Sequence, residues 1–467
     1  MDKPRHIVIA GGGITGLTAA FYLEKEAREK GLPLTFTLLE ATSRLGGKIE
    51  TERADSFVME KGPDSFLERK TSAKQLVADL GMEEELVRNR TGQAYILQNH
   101  QLIPIPEGAV MGIPTQLSSF VTTRLFSPAG KLRAAADLFL PRRKSAGDTS
   151  VGAFFRRRLG DEVVDRLIEP LLSGIYAGNL DHLSLQATFP QFAEMEAKHR
   201  SLILGMKKNR PKQAISRPKG QFLTLKRGLE SLVEAIEKTL PASSVKKNTS
   251  LREVEKTAEG YRVTLTEGEV ITADGIIATP PYEVTRRLLS RYNLPASPEE
   301  IPPTSVATVI LGFEAIDVPL ELDGTGFVVP RREDTTITAC TWTHRKWPHT
   351  VPPEKALIRC YVGRSGDETI VDEPDEVIIG RVREDMRRIL SIHNPPVFTR
   401  ITRWPKAMPQ YAVGHAQWLN RLREEIRHQL PGLYLAGASY AGIGIPDCIN
   451  QGKQAVQDTL SRLFAER

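Results

Sequence analysis

The stretch HIVIAGGGITGLTAAFYL, residues 6–23, carries no formal charge after its histidine, and Lys3 and Arg5 stand just before it. A basic start followed by an apolar run is the outline of a secretory signal or a membrane span. The glycines argue against both. Gly11, Gly12, Gly13 and Gly16 interrupt the run, and no small-residue cleavage site precedes the charged triplet Glu24-Lys25-Glu26. Ile7-Val8-Ile9-Ala10 reads instead as a short buried strand, and Leu17, Ala20, Phe21 and Glu24 begin a helical period. Gly11, Gly13 and Gly16 thus form G-x-G-x-x-G directly between strand and helix. Such glycines permit a tight turn, let a pyrophosphate approach the backbone, and point a helix N-terminus at the anion. "LTFTLLEA" supplies a second strand ending at Glu40, which is placed to accept from a ribose hydroxyl. The unit predicts a dinucleotide without choosing between NAD and FAD.

Three further stretches favour FAD. In EATSRLGGKIET, residues 40–51, Arg44, Gly46, Gly47 and Lys48 offer backbone amides and cations to a second face of the pyrophosphate, which NAD enzymes do not need. EKGPDSF, residues 60–66, puts a rigid Gly62-Pro63 turn before Asp64 and Ser65, polar groups for a flavin ring or its ribityl chain. By itself that turn is equally well structural. In LYLAGASYAGIGIPDCINQGKQA, residues 433–455, Gly437 ends a strand, and Gly442 and Gly444 let backbone approach a ligand. Pro446 and Asp447 then open a helix. Its N-terminus, aimed at the flavin N1/C2 carbonyl region, would stabilise the negative charge that reduction puts there.

A chain of 467 residues at 40% hydrophobic buries more core than one compact domain holds. Cys340, Cys360 and Cys448 show no metal or disulfide spacing, which fits a reducing cytoplasm and no metal. The net charge of +6 is regional: residues 91–220 hold 18 Lys+Arg against 10 Asp+Glu, leaving 45 against 47 elsewhere. Runs such as Arg142-Arg143-Lys144 and Arg156-Arg157-Arg158 read as solvated helix faces, and no nucleic-acid motif accompanies them. Residues 72–212 read as mainly helical, broken by loops at Pro104, Pro106 and Pro114. Strands dominate residues 304–402, with one helix near residues 375–390.

The fold class expected is α/β, α+β overall. A Rossmann-like dinucleotide domain is assembled from residues 1–70, 213–286 and 404–467, with a mainly helical domain at 71–212 and a β-rich substrate domain at 287–403. No nucleophile triad is found, and His344, His349 and His415 read as structural or surface residues.

GGGITGLTAAFYLEK, RLGGKI, GPDSFLERK, GAVMGIPT, EPLLSGIYAG, KHRSLILGM, TACTWTHRKWPH, TRWPKAMPQY and GIGIPDC together resemble the soluble, Gram-positive type of coproporphyrinogen III and protoporphyrinogen IX oxidases, across essentially the whole chain. That family sits within the wider flavin amine-oxidase superfamily. The resemblance implies non-covalent FAD and aerobic six-electron oxidation of a porphyrinogen, with hydrogen peroxide released. It implies that Gly11, Gly12, Gly13, Ile14, Thr15, Gly16, Glu40, Ala41, Gly47, Gly62, Pro63, Asp64, Ser65, Trp404, Ile443, Gly444 and Ile445 line the FAD, with Val245 meeting the adenine. A porphyrinogen pocket needs apolar walls and cations for propionates. Arg69, Lys70, Ile175 and Tyr176 are its candidates, with a surface or core role as the alternative for each. In membrane-bound relatives the helical region docks on lipid; no long apolar surface patch is legible here, so at most a peripheral membrane contact is expected. Transient contact with a ferrochelatase is a further expected partnership. The preferred substrate expected is coproporphyrinogen III, with protoporphyrinogen IX still accepted. The alternatives are a protoporphyrinogen oxidase, another flavin oxidase or desaturase, or a binding protein that has lost flavin chemistry.

Overall fold

The computed structural model describes residues 4–106, 109–110, 113–114, 117–143, 147–208, 220–297, 301–319 and 321–464. A five-stranded, all-parallel sheet occupies one side. It runs in the order Val245–Lys246 (β5), Leu34–Leu39 (β2), Arg5–Ala10 (β1), Gly275–Ala278 (β6) and Leu433–Leu435 (β12). Central strands of a parallel sheet are covered on both faces, which is why Ile7-Val8-Ile9-Ala10 is apolar at every position and buried throughout. Helix Ile14–Lys30 (α1) follows the glycine turn; its first ten residues are buried, and a left-handed Gly31 ends it. Helix His415–Gln429 (α4) precedes β12, and the closing helix Ile445–Phe464 (α5) packs beside α1, so that Leu17, Ala20, Ile449 and Val456 share one core. Three stretches of chain far apart in sequence therefore build one sheet and its cover.

The second sheet has seven strands, ordered Phe398–Met408 (β11), Thr304–Glu314 (β7), Lys355–Val362 (β10), Ile337–Trp342 (β9), Gly326–Val328 (β8), Tyr95–Gln98 (β3) and Gln101–Pro104 (β4). All neighbours are antiparallel except β8 and β3. Period-two alternation sorts its side chains. Val309, Leu311 and Phe313 meet Ile378, Val382 and Met386 of helix Asp375–Leu390 (α3), while Ile310 and Leu357 face Phe57 and Met59 of a hairpin on the other side.

Three expectations change here. The stretch expected to be mainly helical contributes β3 and β4 to the large sheet; Asn99 and His100, both in the left-handed region, make the two-residue turn between them. The boundary expected between residues 403 and 404 falls inside β11, because that strand pairs with β7 from Phe398 through Met408. The boundary at 212/213 lies outside the described residues, as does Lys144. The run Arg156-Arg157-Arg158 is not a solvated face. Arg158 is fully buried and donates through Nε to Asp137 Oδ1 at 2.5 Å, Arg157 pairs with Glu196 at 2.8 Å, and Arg156 gathers Asp161, Asp165 and Asp181. Buried cations need carboxylates, and the chain supplies them from other helices.

A helical layer caps the arrangement around Phe154, Phe155, Leu159, Val163 and Leu167, and includes helix Glu169–Tyr176 (α2). No helix among the described residues is long and apolar enough to cross a membrane. Val121, Leu132 and Phe139 nevertheless stand 63, 76 and 80% exposed in this layer, an apolar feature not expected from the sequence.

Candidate functional site

Two glycine turns face each other at the carboxyl end of β1. Gly46 N donates to Gly12 O at 2.8 Å, and Gly13 bridges Gly46 in parallel fashion. Gly13 is the N-cap of α1 with no side-chain cap, and the first turn holds no acid. A Cβ built on Gly13 would have nothing within 4 Å, so open space lies in front of uncapped N–H groups. That is a cradle for an anion. Glu40 sits beside it, Oε2 accepting from Gly12 N and Oε1 from Thr42 N and Thr42 Oγ1, all at 2.8 Å, with a lone pair left on Oε2 for a hydroxyl. Ala41 is exposed next to it, and Val245 pairs with Leu38 at the sheet edge.

Arg44 and Lys48 both have partners within the protein. Arg44 donates to the carbonyls of Leu45, Ile49 and Gly47 and pairs with Glu50 at 3.1 Å, so it braces its own loop rather than offering a free cation. Lys48 Nζ donates to Ala407 O. A five-donor guanidinium satisfies several carbonyls of a tight turn at once, which is why the loop keeps it.

The turn Lys61-Gly62-Pro63-Asp64 is clamped from behind. Lys61 O accepts from Thr308 Oγ1 at 2.8 Å and Trp404 Nε1 at 3.1 Å, and Gly62 O from Arg359. A Cβ on Gly62 would collide with Lys48 O, so only glycine fits. Asp64, expected to meet the flavin, is spent elsewhere. Its Oδ2 accepts from Lys346 Nζ at 2.7 Å and Trp347 Nε1 at 3.2 Å, and Ser65 Oγ donates to its Oδ1 at 2.6 Å. Burial opposes its ionisation, but Lys346 and Arg359 prevail and hold the carboxyl well below its usual range. Behind the turn, Glu60, Asp64 and Arg359 line a cavity of about 20 Å³. Glu60 has the opposite fate: burial pushes it up to about 7 against the bonds it accepts from Leu229 N and Thr51 Oγ1.

The third piece is the loop after β12. Gly437 N donates to Gln451 Oε1 at 3.1 Å, and Gly442 N donates to Tyr411 Oη at 2.8 Å, whose own hydroxyl donates to Ala438 O at 2.6 Å. Asp447 folds back under Gly442 and Gly444 and accepts both its bonds from Lys70, at 2.7 and 2.6 Å. Ser72 Oγ donates to Pro446 O at 2.5 Å, closing residues 70–72 onto the start of α5, where Ile445 is buried. Ile443 packs against the helical layer. Tyr176 lies 5.6 Å from the Tyr411 ring, and burial raises its phenol so that it stays neutral. Ile175 beside it is 44% exposed, and Arg69 is exposed. Lys70, Tyr176 and the Gly442 loop are thus brought together; Lys70 is an ion-pair partner rather than a free cation.

Sequence reading missed Arg359, Thr308, Lys346, Trp347 and Tyr411. Lys346, Trp347 and Tyr411 lay within quoted motifs, but nothing local signalled a role, because each acts on a turn reached only through the fold. His344, His349 and His415 each have a pKa lowered chiefly by burial. His415 is stacked on Tyr411 at 4.1 Å and donates to Tyr440 O at 2.8 Å, a packing role.

The flavin containing amine oxidoreductase family matches residues 14–460. The chain belongs to that family. It is 53% identical to the coproporphyrinogen III oxidase of Bacillus subtilis, over 99% of this chain and 100% of that one, and 42% identical to that of Staphylococcus aureus, over 98% and 100%. A crystal structure from Exiguobacterium sp., 43% identical, superposes with a TM-score of 0.87 over 97% of this chain and 98% of its own. The protein is a flavoenzyme, and its cofactor is FAD. The uncapped helix start, the open space at Gly13 and the carboxylate of Glu40 fit a dinucleotide's pyrophosphate and ribose.

Proposed function

We propose that this protein is a coproporphyrinogen III oxidase that holds FAD non-covalently and uses oxygen. Full-length similarity to two relatives of that name carries the reading, joined to a site with a dinucleotide cradle at one end and an apolar wall at Ile175 and Tyr176 at the other. The FAD would lie along Gly11, Gly12, Gly13, Ile14, Thr15 and Gly16, with Glu40, Ala41 and Val245 toward its adenosine. Gly47, Gly62, Pro63, Trp404, Gly437, Ile443, Gly444 and Ile445 would follow toward its ring.

Bound there, the flavin supplies a two-electron acceptor that oxygen regenerates. Coproporphyrinogen and three O2 become coproporphyrin and three H2O2, six electrons and six protons leaving the macrocycle in three rounds. The chain's own part is positioning. Tyr411 holds the Gly442 amide, and Lys70 neutralises Asp447, so that the α5 N-terminus presents its partial positive charge undiminished. Tyr176, neutral and buried, is a wall rather than a base.

The test is oxygen consumption, peroxide release and porphyrin formation with both porphyrinogens at low and high salt. Three H2O2 per porphyrin are expected, with kcat/KM about tenfold higher for the tetracarboxylate at low salt. Equal or reversed ratios would make protoporphyrinogen oxidase the better description, and protein that stays colourless with added FAD would end every flavoenzyme reading. We place the protein in the cytoplasm, with a peripheral membrane contact at Val121, Leu132 and Phe139, which co-sedimentation with anionic vesicles tests. A transient contact with a ferrochelatase is tested by product transfer in the presence of a porphyrin trap.

A further inference from the structure

One end of the seven-stranded sheet gathers the groups around the flavin-facing side. Trp404 on β11 pairs with Val306 on β7, and Gly363, just beyond β10, packs on Val306, where a Cβ would lie 3.2 Å from Val306 Cα. The strand order β11-β7-β10 puts Arg364 two strand spacings, roughly 10 Å, from the strand of Trp404. The loop is also tied to the candidate substrate wall. Ser365 N donates to Ala177 O at 2.8 Å, immediately after Tyr176.

Two arginines stand here with unequal fates. Arg331 is engaged through all three of its nitrogens: Nε on Glu169 Oε1 at 2.7 Å, Nη1 on Ser365 O and Nη2 on Gly178 O, both at 2.8 Å. Arg364 is not. Its Nε is buried without a hydrogen-bond partner among the described residues. Its ion-pair partner, Asp367, stands 3.7 Å away and is itself 54% exposed, whereas the Arg364 side chain is only 12% exposed. Burial, and then Arg331 beside it, make its charge harder to hold. Its Nη2 reaches Arg331 O only at 3.5 Å. A desolvated guanidinium with Nε unmet is costly, and a carboxylate is the group its planar fork matches.

We propose that Arg364 anchors one carboxylate of the substrate, an inference that rests on the functional reading above. A macrocycle against the flavin-facing side carries its carboxylates on its rim, and the loop of Arg364 is bonded to Ala177, next to Tyr176, where a rim group would arrive. Arg331 is its positioning residue, holding the loop of Arg364 against the end of α2.

The test is fluorescence titration of the FAD-loaded protein with coproporphyrin III, the tetracarboxylate product, and with its tetramethyl ester, which has the same ring and no charge. Arg364→Gln is expected to weaken the acid about tenfold and leave the ester unchanged, with Arg364→Lys between. Asp367→Asn changes a side chain that is 54% exposed and removes the competing carboxylate; it is expected to tighten the acid two- to fivefold. Unchanged acid binding in Arg364→Gln, equal losses of acid and ester, or weaker acid binding in Asp367→Asn would each overturn the proposal. A wild type that binds neither porphyrin and oxidises no porphyrinogen would overturn the functional reading and this site with it.

Discussion

The turn at Gly11–Gly16 and the turn at Lys61–Asp64 lie in one site and are built in opposite ways. The first is made of local backbone: glycines, an uncapped helix start and a carboxylate 24 residues beyond Gly16 at the end of the next strand. The second is held by side chains that arrive from residues 308, 346, 347, 359 and 404. A motif made of backbone has to be contiguous, because the peptide groups are themselves the ligand-facing atoms. A motif made of side chains does not. The second turn is therefore the one whose failure should spread furthest into the fold.

The largest effect expected is on the Asp64–Lys346 pair, whose side chains are 16 and 12% exposed. Lys346→Met strips a buried carboxylate of its cation and should destabilise the protein by about 3–5 kcal/mol, read as a fall in the denaturation midpoint. The pH dependence sharpens this. Asp64 is depressed in the fold, so its contribution is present above the ordinary carboxylate range and lost as pH falls toward its folded value. In Lys346→Met the folded carboxyl rises toward the ordinary range, so that acid-dependent loss should shrink. Glu60, raised to about 7, runs the other way and costs stability as pH rises from about 4.5 to about 7. A midpoint that Lys346→Met leaves unchanged would show that the second turn is as self-sufficient as the first.

This difference in construction also explains what could be read from the sequence. The cradle was legible because spacing carried it: G-x-G-x-x-G between an apolar run and a helical period, with Glu40 at the next strand end. The strand β10 and the helix α3 were legible from their periods. Hairpin β3–β4 was not, since four-residue strands offer too few alternations to outweigh a surrounding helical pattern, although Asn99 marked its turn. Arg156-Arg157-Arg158 was misread because charge in sequence says nothing about whether Asp137 and Glu196 wait across the interface. The partners of Asp64 were hidden for the same reason: Lys346 is 282 residues away.

An intermediate effect is expected in the first turn. A Cβ on Gly16 would meet Gly11 O, a neighbour that cannot move without opening the turn. Gly16→Ala should cost about 1–3 kcal/mol of overpacking, appearing as a ten- to hundredfold weaker FAD affinity of the apo-protein. Equal FAD affinity would mean that the turn relaxes, and that local backbone is less exacting than the comparison requires.

The smallest effect tests whether the second turn is redundant. Lys61 O accepts from Thr308 and Trp404, with Arg359 Nη2 a weaker third donor at 3.4 Å. Trp404→Phe keeps most of the ring and removes only Nε1–H. The oxygen keeps two donors, so no buried acceptor is orphaned, and the loss is that of one shared hydrogen bond, about 0.5–1 kcal/mol. FAD affinity measured by titration and the denaturation midpoint should shift together by that amount. A shift of FAD affinity alone, several times larger, would mean that Trp404 acts on the cofactor through its ring rather than through Lys61. Construction from distant side chains would then serve the ligand directly, and the contrast between the two turns would lie in chain distance alone.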